Sequence, residues 1–468
     1  MAIKMGLTFD DVLLVPKFSN ITSRKDVDTS SYLTKNIKLH VPIVSANMDV
    51  VTESRMAISM ARIGGIGFLH RFMSIEEETD RVFRVKRAET ITVEKPFTLT
   101  PDKTLKDAKK LMQEHGVTGI LITNNQNKLM GILTSRDIRF ETDDSRIIKS
   151  IMTTDLITAP AKTSLDSAKN ILNKNKIEKL PLVDSSNHLT GLITSRDILK
   201  RKEFPNASKD KKGRLMVGAA IGVKPGELER AKSLVNADVD LLVIDIAHGH
   251  SLSVIKMLRT LRKKFDIDIV AGNVATMDGV RDLTKAGADG IKVGIGGGSI
   301  CTTRIVTGSG VPQLSAIMAC SKAAAGKVPI NADGGIRNSG DITKALASGA
   351  STVMLGSLLA GTDESPGIHI TKDGKKYKMT RGMASISART SVSKDTNDIQ
   401  EYVAEGIDGL VHYRGSVNDI IQQLVGGLRS GMSYCGASSI INLQKNAEFV
   451  RISHAGLTES KSHDIEKM

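Results

Sequence analysis

Aromatic side chains are scarce in this sequence: they make up 3% of its 468 residues, and tryptophan is absent. A base-stacking platform for single-stranded nucleic acid needs such rings. The basic surplus, 65 Lys+Arg against 51 Asp+Glu for a net charge of +14, is therefore read as a generally basic surface, with no dedicated nucleic-acid binding expected. Cysteine is scarce too. Cys301, Cys320 and Cys435 cannot build a disulfide framework, and no CxxC pair offers a zinc site, so any important cysteine here is expected to be a reduced thiol. No apolar run reaches the roughly 20 residues that cross a bilayer, and Met1-Ala2-Ile3-Lys4 lacks the apolar stretch of a signal peptide. No membrane association is expected, and the address by default is cytoplasmic.

What is present is length and repetition. A chain of 468 residues exceeds the roughly 250–300 at which one hydrophobic core stops growing, so more than one folding unit is expected. Gly131-Ile-Leu-Thr-Ser-Arg-Asp137 recurs as Gly191-Leu-Ile-Thr-Ser-Arg-Asp197, 60 residues on. Each copy follows a short hydrophobic run (Gly119 to Ile122, Leu180 to Val183) and a polar turn, which makes 92–203 a tandem pair of small α/β repeats. Outside it, in 1–91 and 204–468, short apolar strands alternate with helical segments. Strands are expected at Val41–Ala46, Gly65–Leu69, Met216–Ile221, Leu241–Asp245, Ile269–Gly272, Gly290–Gly294, Pro329–Ala332 and Thr352–Leu355. Continuous apolar strands between helices mean a parallel sheet buried on both faces. Eight such units with polar or glycine-rich steps after the strands suggest an α/β protein of the (β/α)8 barrel type, with its chemistry at the strand C-termini. A doubly wound open sheet is the alternative, and the repeat pair would be inserted between the second and third units.

The sharpest chemical signal is the loop Gly294-Ile-Gly-Gly-Gly-Ser-Ile-Cys301-Thr-Thr303-Arg304. Its glycines free backbone amides and carbonyls for a ligand, and a cysteine beside threonines and an arginine reads as a thiolate nucleophile; a structural cysteine in a strand-to-helix turn is the alternative. Cys320, in an Ala-rich helical stretch, and Cys435 both look structural. Asp333-Gly334-Gly335 and Gly356-Ser357 follow the last two strands, where barrels often cradle a phosphate on backbone N–H groups. Asp245, His248 and His250 are too thin a set for a metal and read as a cofactor contact or a plain polar loop. The polar stretch from Arg381-Gly-Met-Ala-Ser385 to Glu405-Gly406, with Arg389, Lys394, Asp395, Asp398 and Glu401, reads as a lid or as a surface excursion.

Taken together, these pieces resemble the IMP dehydrogenase and GMP reductase family over essentially the whole chain. The matching stretches are Leu7-Thr-Phe-Asp-Asp-Val-Leu-Leu-Val-Pro16, Asp245-Ile-Ala-His-Gly-His-Ser251, Ala271-Gly-Asn-Val-Ala-Thr276, Gly298-Ser-Ile-Cys-Thr-Thr-Arg304, Ala332-Asp-Gly-Gly-Ile336 and Met354-Leu-Gly-Ser357. The resemblance implies a TIM barrel in which Cys301 attacks C2 of a purine nucleotide (IMP going to XMP, or GMP) while a hydride passes between that carbon and the nicotinamide of NAD, Thr303 helping proton traffic. Ser299, Asp333, Gly335, Gly356 and Ser357 would hold the ribose phosphate, and Gly382, Met383 and Glu405 the base. Asp245, Asn273, Gly294 and Gly296 would face the cofactor. Carbonyls of Gly296, Gly298 and Cys301, joined by Glu459 and Ser460 of a neighbouring copy, would bind a monovalent cation such as K⁺, which implies a homotetramer, possibly pairing into an octamer. The repeats resemble a cystathionine-β-synthase-type (CBS) pair, on which Asp137 and Asp197 would hold the ribose of adenine or guanine nucleotides.

This chain departs from the family at several points. Family dehydrogenases carry an adjacent Arg-Tyr in the flap, where the arginine activates the hydrolytic water; 384–404 contains Arg389 and Tyr402 but no such pair. Thr380 stands where a tyrosine usually precedes Arg-Gly-Met, Gly297 where the glycine loop usually has Pro, and Ile246 where a hydroxyl residue usually meets the cofactor. The missing pair is a reductase trait, yet the glutamate that reductases carry shortly after Gly-Met is Ile386. The sequence therefore points first to an NAD-dependent dehydrogenase and second to a reductase with a retained regulatory insert.

Overall fold

The structure, a computed structural model, describes residues 3–89, 96–392 and 402–462. The flap residues Lys394, Asp395, Asp398 and Glu401, and the side chain of Asp197, lie outside the described residues. The chain divides into two compact units, one of 1–88, 206–210 and 215–468, the other of 89–205 and 211–214.

The first unit is a closed barrel. Its strands are β1 (Ile43–Ser45), β2 (Ile66–Leu69), β3 (Gly218–Ile221), β4 (Leu241–Asp245), β5 (Asp268–Val274), β6 (Gly290–Val293), β7 (Ile330–Asp333) and β8 (Thr352–Leu355). They follow one another in chain order around the ring, every neighbouring pair parallel. The open-sheet alternative is thereby excluded. The expected strands and the observed ones differ at their ends. β1 starts after Pro42, which has no N–H to give the ladder. β5 runs on to Val274, and β7 takes in Asp333 as its last residue.

Side chains alternate across each strand, and both faces are apolar for different reasons. Leu242, Ile244, Ile269, Ile291, Val293, Ile330, Val353 and Leu355 point outward into the core shared with the helices. Val44, Phe68, Ala220, Leu241, Val243, Val270 and Met354 point inward, where Leu33, Ile37 and Leu39 of the N-terminal segment join them. The same alternation carries Asp245, Lys292 and Asp333 to the inside at the C-terminal ends of β4, β6 and β7. The helices obey local rules. Met277–Ala286 starts at Thr276, whose hydroxyl accepts from the Gly279 N–H, buries Val280, Leu283 and Ala286, and stops at Gly287 in the left-handed conformation. Each such Val or Leu contributes about 1.5–3 kcal/mol by leaving water.

The second unit repeats one pattern twice. Gly119–Thr123 pairs antiparallel with Leu129–Thr134, and Lys179–Val183 with Leu189–Thr194. The copies join reciprocally: Leu129 N–H donates to Asn187 O (3.0 Å), Leu189 N–H to Asn127 O (2.9 Å), and the amides of Asn127 and Asn187 donate to Leu189 O (2.9 Å) and Leu129 O (3.1 Å). Leu121, Leu129, Ile132, Leu189 and Leu192 form the apolar seam between them. Among the described residues, no helix is long and apolar enough to cross a membrane.

Candidate active site

The loop after β6 is shaped by backbone crowding. Gly294 has φ 147° and lies so close to β7 that a Cβ there would stand 2.0 Å from Asp333 O, so no other residue fits. Gly334, at φ 94°, faces the Gly297–Gly298 backbone, which lets the two glycine turns pack together. The chain then presents Cys301, half-buried, just ahead of the short helix Thr303–Thr307.

A hydrogen-bonded series starts at that thiol. Cys301 Sγ donates to Thr303 Oγ1 (3.1 Å), and the Thr303 hydroxyl donates to Glu405 Oε2 (2.7 Å). Glu405 comes from 102 residues away and is fixed by backbone bonds: Thr302 N–H donates to Glu405 O (2.9 Å), and Glu405 N–H to Ala384 O (3.0 Å). Thiol, hydroxyl and carboxylate are thus arranged as a proton path before any ligand arrives. They line a cleft of about 420 Å³ with Gly298, Gly382, Met383 and Arg389.

The opposite wall is ionic. Lys292, 3% exposed, reaches Asp245 Oδ1 and Asp333 Oδ2, both at 2.6 Å. Asn273 Nδ2 donates to Asp333 Oδ2 (2.9 Å) and to Gly294 O (2.8 Å). Burial disfavours the Lys292 ammonium, but the two carboxylates outweigh it, so its pKa lies above the ordinary lysine value. Burial likewise works against the Asp245 carboxylate, and Lys292 overrides it and holds the pKa below the usual range. Asn273 Oδ1 is buried beside these groups without a hydrogen-bond partner, an acceptor suited to an amide N–H₂ from a ligand.

Of the residues expected from sequence, Cys301, Thr303, Glu405, Gly382, Met383, Arg389, Asp245, Asn273, Gly298 and Asp333 all line this cleft. Ser299 is exposed in the cysteine turn, Gly335 follows β7, and Gly356 and Ser357 open the short helix Ser357–Ala360; none of these four is among the cleft's lining residues. Gly294 and Gly296 shape the loop; a Cβ on Gly296 would strike the Arg304 side chain. Glu459 ends an exposed helix and Ser460 follows it, and among the described residues no hydrogen bond or ion pair joins either to the Cys301 loop within the chain. His250 pairs with Asp282 (2.9 Å), and the described residues contain no group of three His, Cys, Asp or Glu that could hold a metal. Cys320 and Cys435 are buried, and burial pushes the Cys320 thiol up to about 12. In the second unit Asp137 Oδ2 already accepts from Thr134 N–H (2.7 Å) and Thr134 Oγ1 (2.8 Å).

Lys292, Arg71 and Phe72 are among the cleft residues that the sequence does not single out. Lys292 was visible as a lone charge inside an apolar strand, a pattern that demands a buried partner. Arg71 and Phe72 sit in the loop after β2 and gave no motif. The family described as IMP dehydrogenase / GMP reductase domain matches residues 6–463. Inosine-5'-monophosphate dehydrogenase of Nitrosopumilus maritimus is 53% identical over 99% of both chains. The Bacillus subtilis protein of the same name is 53% identical over 99% of this chain and 96% of its own. Among solved structures, a cysteine-to-alanine variant of GMP reductase from Trypanosoma brucei, in complex with guanosine 5'-monophosphate, superposes with a TM-score of 0.94 at 46% identity, covering 99% of both chains. A parallel barrel with a thiol on the glycine turn after its sixth strand, matched along its full length by both kinds of enzyme, places this chain in the IMP dehydrogenase / GMP reductase family.

Proposed function

We propose that this protein is an IMP dehydrogenase, oxidising IMP to XMP with NAD. The observation that carries the reading is the Cys301–Thr303–Glu405 series at the mouth of the barrel, in a chain half identical to proteins bearing that name. Cys301 adds to C2 of the purine, which divides a difficult oxidation into two easier steps. Thr303 and Glu405 accept the thiol proton along the bonds already in place. Asp333, fixed by Lys292 and Asn273, is set to take ribose hydroxyls, and Gly382 and Met383 frame the base. NAD, when bound, supplies the hydride acceptor. The orphaned Asn273 Oδ1 fits its carboxamide, and Asp245 fits its ribose. Water then enters at C2, and the thiolate leaves.

Beyond this, Gly296, Gly298 and Cys301 carbonyls with Glu459 and Ser460 of a second copy would hold K⁺, which makes the working form a homotetramer. Residues 92–203 serve as a CBS-type regulatory pair, with Asp137 and Asp197 toward adenine or guanine nucleotides; a Trypanosoma brucei GMP reductase of 42% identity and TM-score 0.84 was solved with guanosine 5'-triphosphate. A cytoplasmic location fits such an enzyme.

A second reading, GMP reductase using NADPH, is favoured by two observations: the 0.94 superposition on a reductase and the absence of an adjacent Arg-Tyr in 384–404. In that direction Thr303 and Glu405 would protonate departing ammonia. Following nicotinamide absorbance with IMP plus NAD, and separately with GMP plus NADPH, distinguishes them. Reduction of NAD with IMP is the expected result, and turnover with GMP alone would replace the first reading by the second.

A further inference from the structure

One buried amide ties the cysteine turn to the Asp333 side of the cleft from behind. Gln313, 1% exposed, opens the helix Gln313–Ala324 directly after Pro312. The N-terminal segment seats that helix: Leu7 N–H donates to Ser315 Oγ (2.8 Å), and Ser315 N–H to Leu7 O (3.1 Å). The parallel pairing of β6 with β7 ends at Val293 opposite Ala332, and past it the Gly294 N–H turns to Val274 O (2.9 Å). Gln313 Nε2 continues the link between the two strands, donating to Val293 O (2.9 Å) and to Asp333 O (3.1 Å). Both amide hydrogens are thereby used. Gln313 Oε1 lies against the cysteine turn, 3.0 Å from where a Cβ on Gly294 would stand and 3.6 Å from one on Gly297, and has no hydrogen-bond partner. Turning the amide over would set that oxygen against two carbonyls, so the N–H₂ end fixes its orientation. The same side chain backs the second glycine turn, its Cβ 3.5 Å from the Cβ position of Gly335.

We infer that Gln313 is a positioning residue for the attack on the nucleotide: its amide sets the interval between the turn that presents Cys301 and Asp333, the residue set to take the ribose. The inference rests on the reading in which the Cys301 thiol adds to C2 of IMP. Gln313 is not among the residues lining the cleft, so it acts through the two groups it joins. Lys292 and Asn273 hold the Asp333 carboxylate (2.6 and 2.9 Å); Gln313 holds the main chain of the same residue, together with the last carbonyl before the cysteine turn. Reacting atoms must meet within about 3–3.5 Å, and a misplacement of about an ångström costs on the order of 100-fold in rate. Affinity for the nucleotide is spread over phosphate, ribose and base, and changes far less. A residue that merely filled the space beneath the turns would be replaced without loss by methionine or glutamate, which have nearly its volume.

Gln313→Met and Gln313→Glu, made in the full chain, separate the donors from the volume. Methionine removes both N–H groups; an ionised glutamate faces the two carbonyls with acceptors, and a protonated one regains a single donor. On rapid mixing with IMP and NAD, Gln313→Met forms NADH in the first turnover about 100-fold more slowly than wild type, while its Kd for IMP stays within about threefold. Gln313→Glu is as slow at about pH 8.5 and regains at least about tenfold at about pH 6, each rate divided by that of wild type at the same pH, because an acid buried against carbonyls keeps its proton well above the ordinary carboxylate range. This compares one folded protein with itself, so a folding defect does not imitate it. Without ligand, Gln313→Met speeds hydrogen exchange in 294–303. A wild-type first-turnover rate in Gln313→Met, an affinity loss as large as the rate loss, a Gln313→Glu ratio that does not move with pH, or unchanged exchange in 294–303 overturns the inference. A wild-type enzyme that makes no NADH from IMP overturns the dehydrogenase reading instead; the exchange comparison and the same rate ratios, read with GMP and NADPH, then decide the role of Gln313.

Discussion

Replacing Lys292 with methionine tests the ionic wall of the site most directly. Methionine keeps most of the apolar stem and leaves no large cavity, so what is lost is the charge. Asp245 would then keep the Asn47 amide and the nearby charge of Arg71, whereas Asp333 would keep only the Asn273 amide, with the shared cation gone. The cheapest escape is for one carboxyl to stay protonated. Holding a proton at pH 7 on a group whose ordinary pKa is about 3.9 costs about 1.36 kcal/mol per unit, or roughly 4 kcal/mol. This falls in the range of about 3–5 kcal/mol found when one partner of a buried ion pair is removed. The cost is itself pH-dependent. In the variant the folded-state pKa is raised, so the folded form binds more protons than the unfolded one between about pH 4 and 7, and stability falls as pH rises through that window. At pH 5 the deficit shrinks to roughly 1.5 kcal/mol. With an unfolding entropy of about 2.1 cal/mol/K per residue, 4 kcal/mol on a unit of this size lowers its Tm by roughly 5 °C. Thermal unfolding at pH 5 and pH 7, with IMP binding measured alongside, checks both numbers. A deficit below about 1 kcal/mol at pH 7, or one equal at both pH values, would refute the assignment of Lys292 as the shared cation.

Three further outcomes are expected. Cys301→Ala abolishes turnover while IMP affinity, measured by calorimetry, stays within a few-fold of wild type; residual turnover would remove the thiol from the mechanism. Asp245→Asn flattens the acid limb of stability, because a carboxylate whose folded pKa is depressed contributes above its unfolded value of about 3.9 and loses that contribution as pH falls, a trend read from unfolding midpoints between pH 3 and 6. Asn127→Ala, at a left-handed position (φ 61°) whose amide donates to Leu189 O, costs the inserted unit about 2 kcal/mol, roughly half from the hydrogen bond and half from the backbone, and speeds hydrogen exchange at the Leu129 and Leu189 amides.

Much of this protein is written locally. Strand after strand of β-branched and aliphatic residues between amphipathic helices specifies a parallel sheet covered on both faces, because such strands have no polar side to show to water. The two copies of Gly-x-x-Thr-Ser-Arg-Asp specify two like folding halves, since the same residues in the same order bury the same face. Gly294 and Gly334 mark where backbones must approach, and Cys301 stands out because a thiol in a glycine turn has little packing to do. The tertiary structure decided the rest. Closure of the ring follows from β1 meeting β8 across more than 300 residues, a contact that no local pattern encodes. Lys292 could be seen as a charge in need of partners, but only the inward alternation of β4, β6 and β7 selects Asp245 and Asp333. Glu405 reaches Thr303, and Tyr402 reaches Arg389, because backbone bonds from Ala384 and Thr302 bring distant turns together. Residue types and periods determine which faces are buried, since burial depends on each side chain's own affinity for water; which charges meet depends on chain geometry summed over hundreds of residues, and that exists only in the folded barrel.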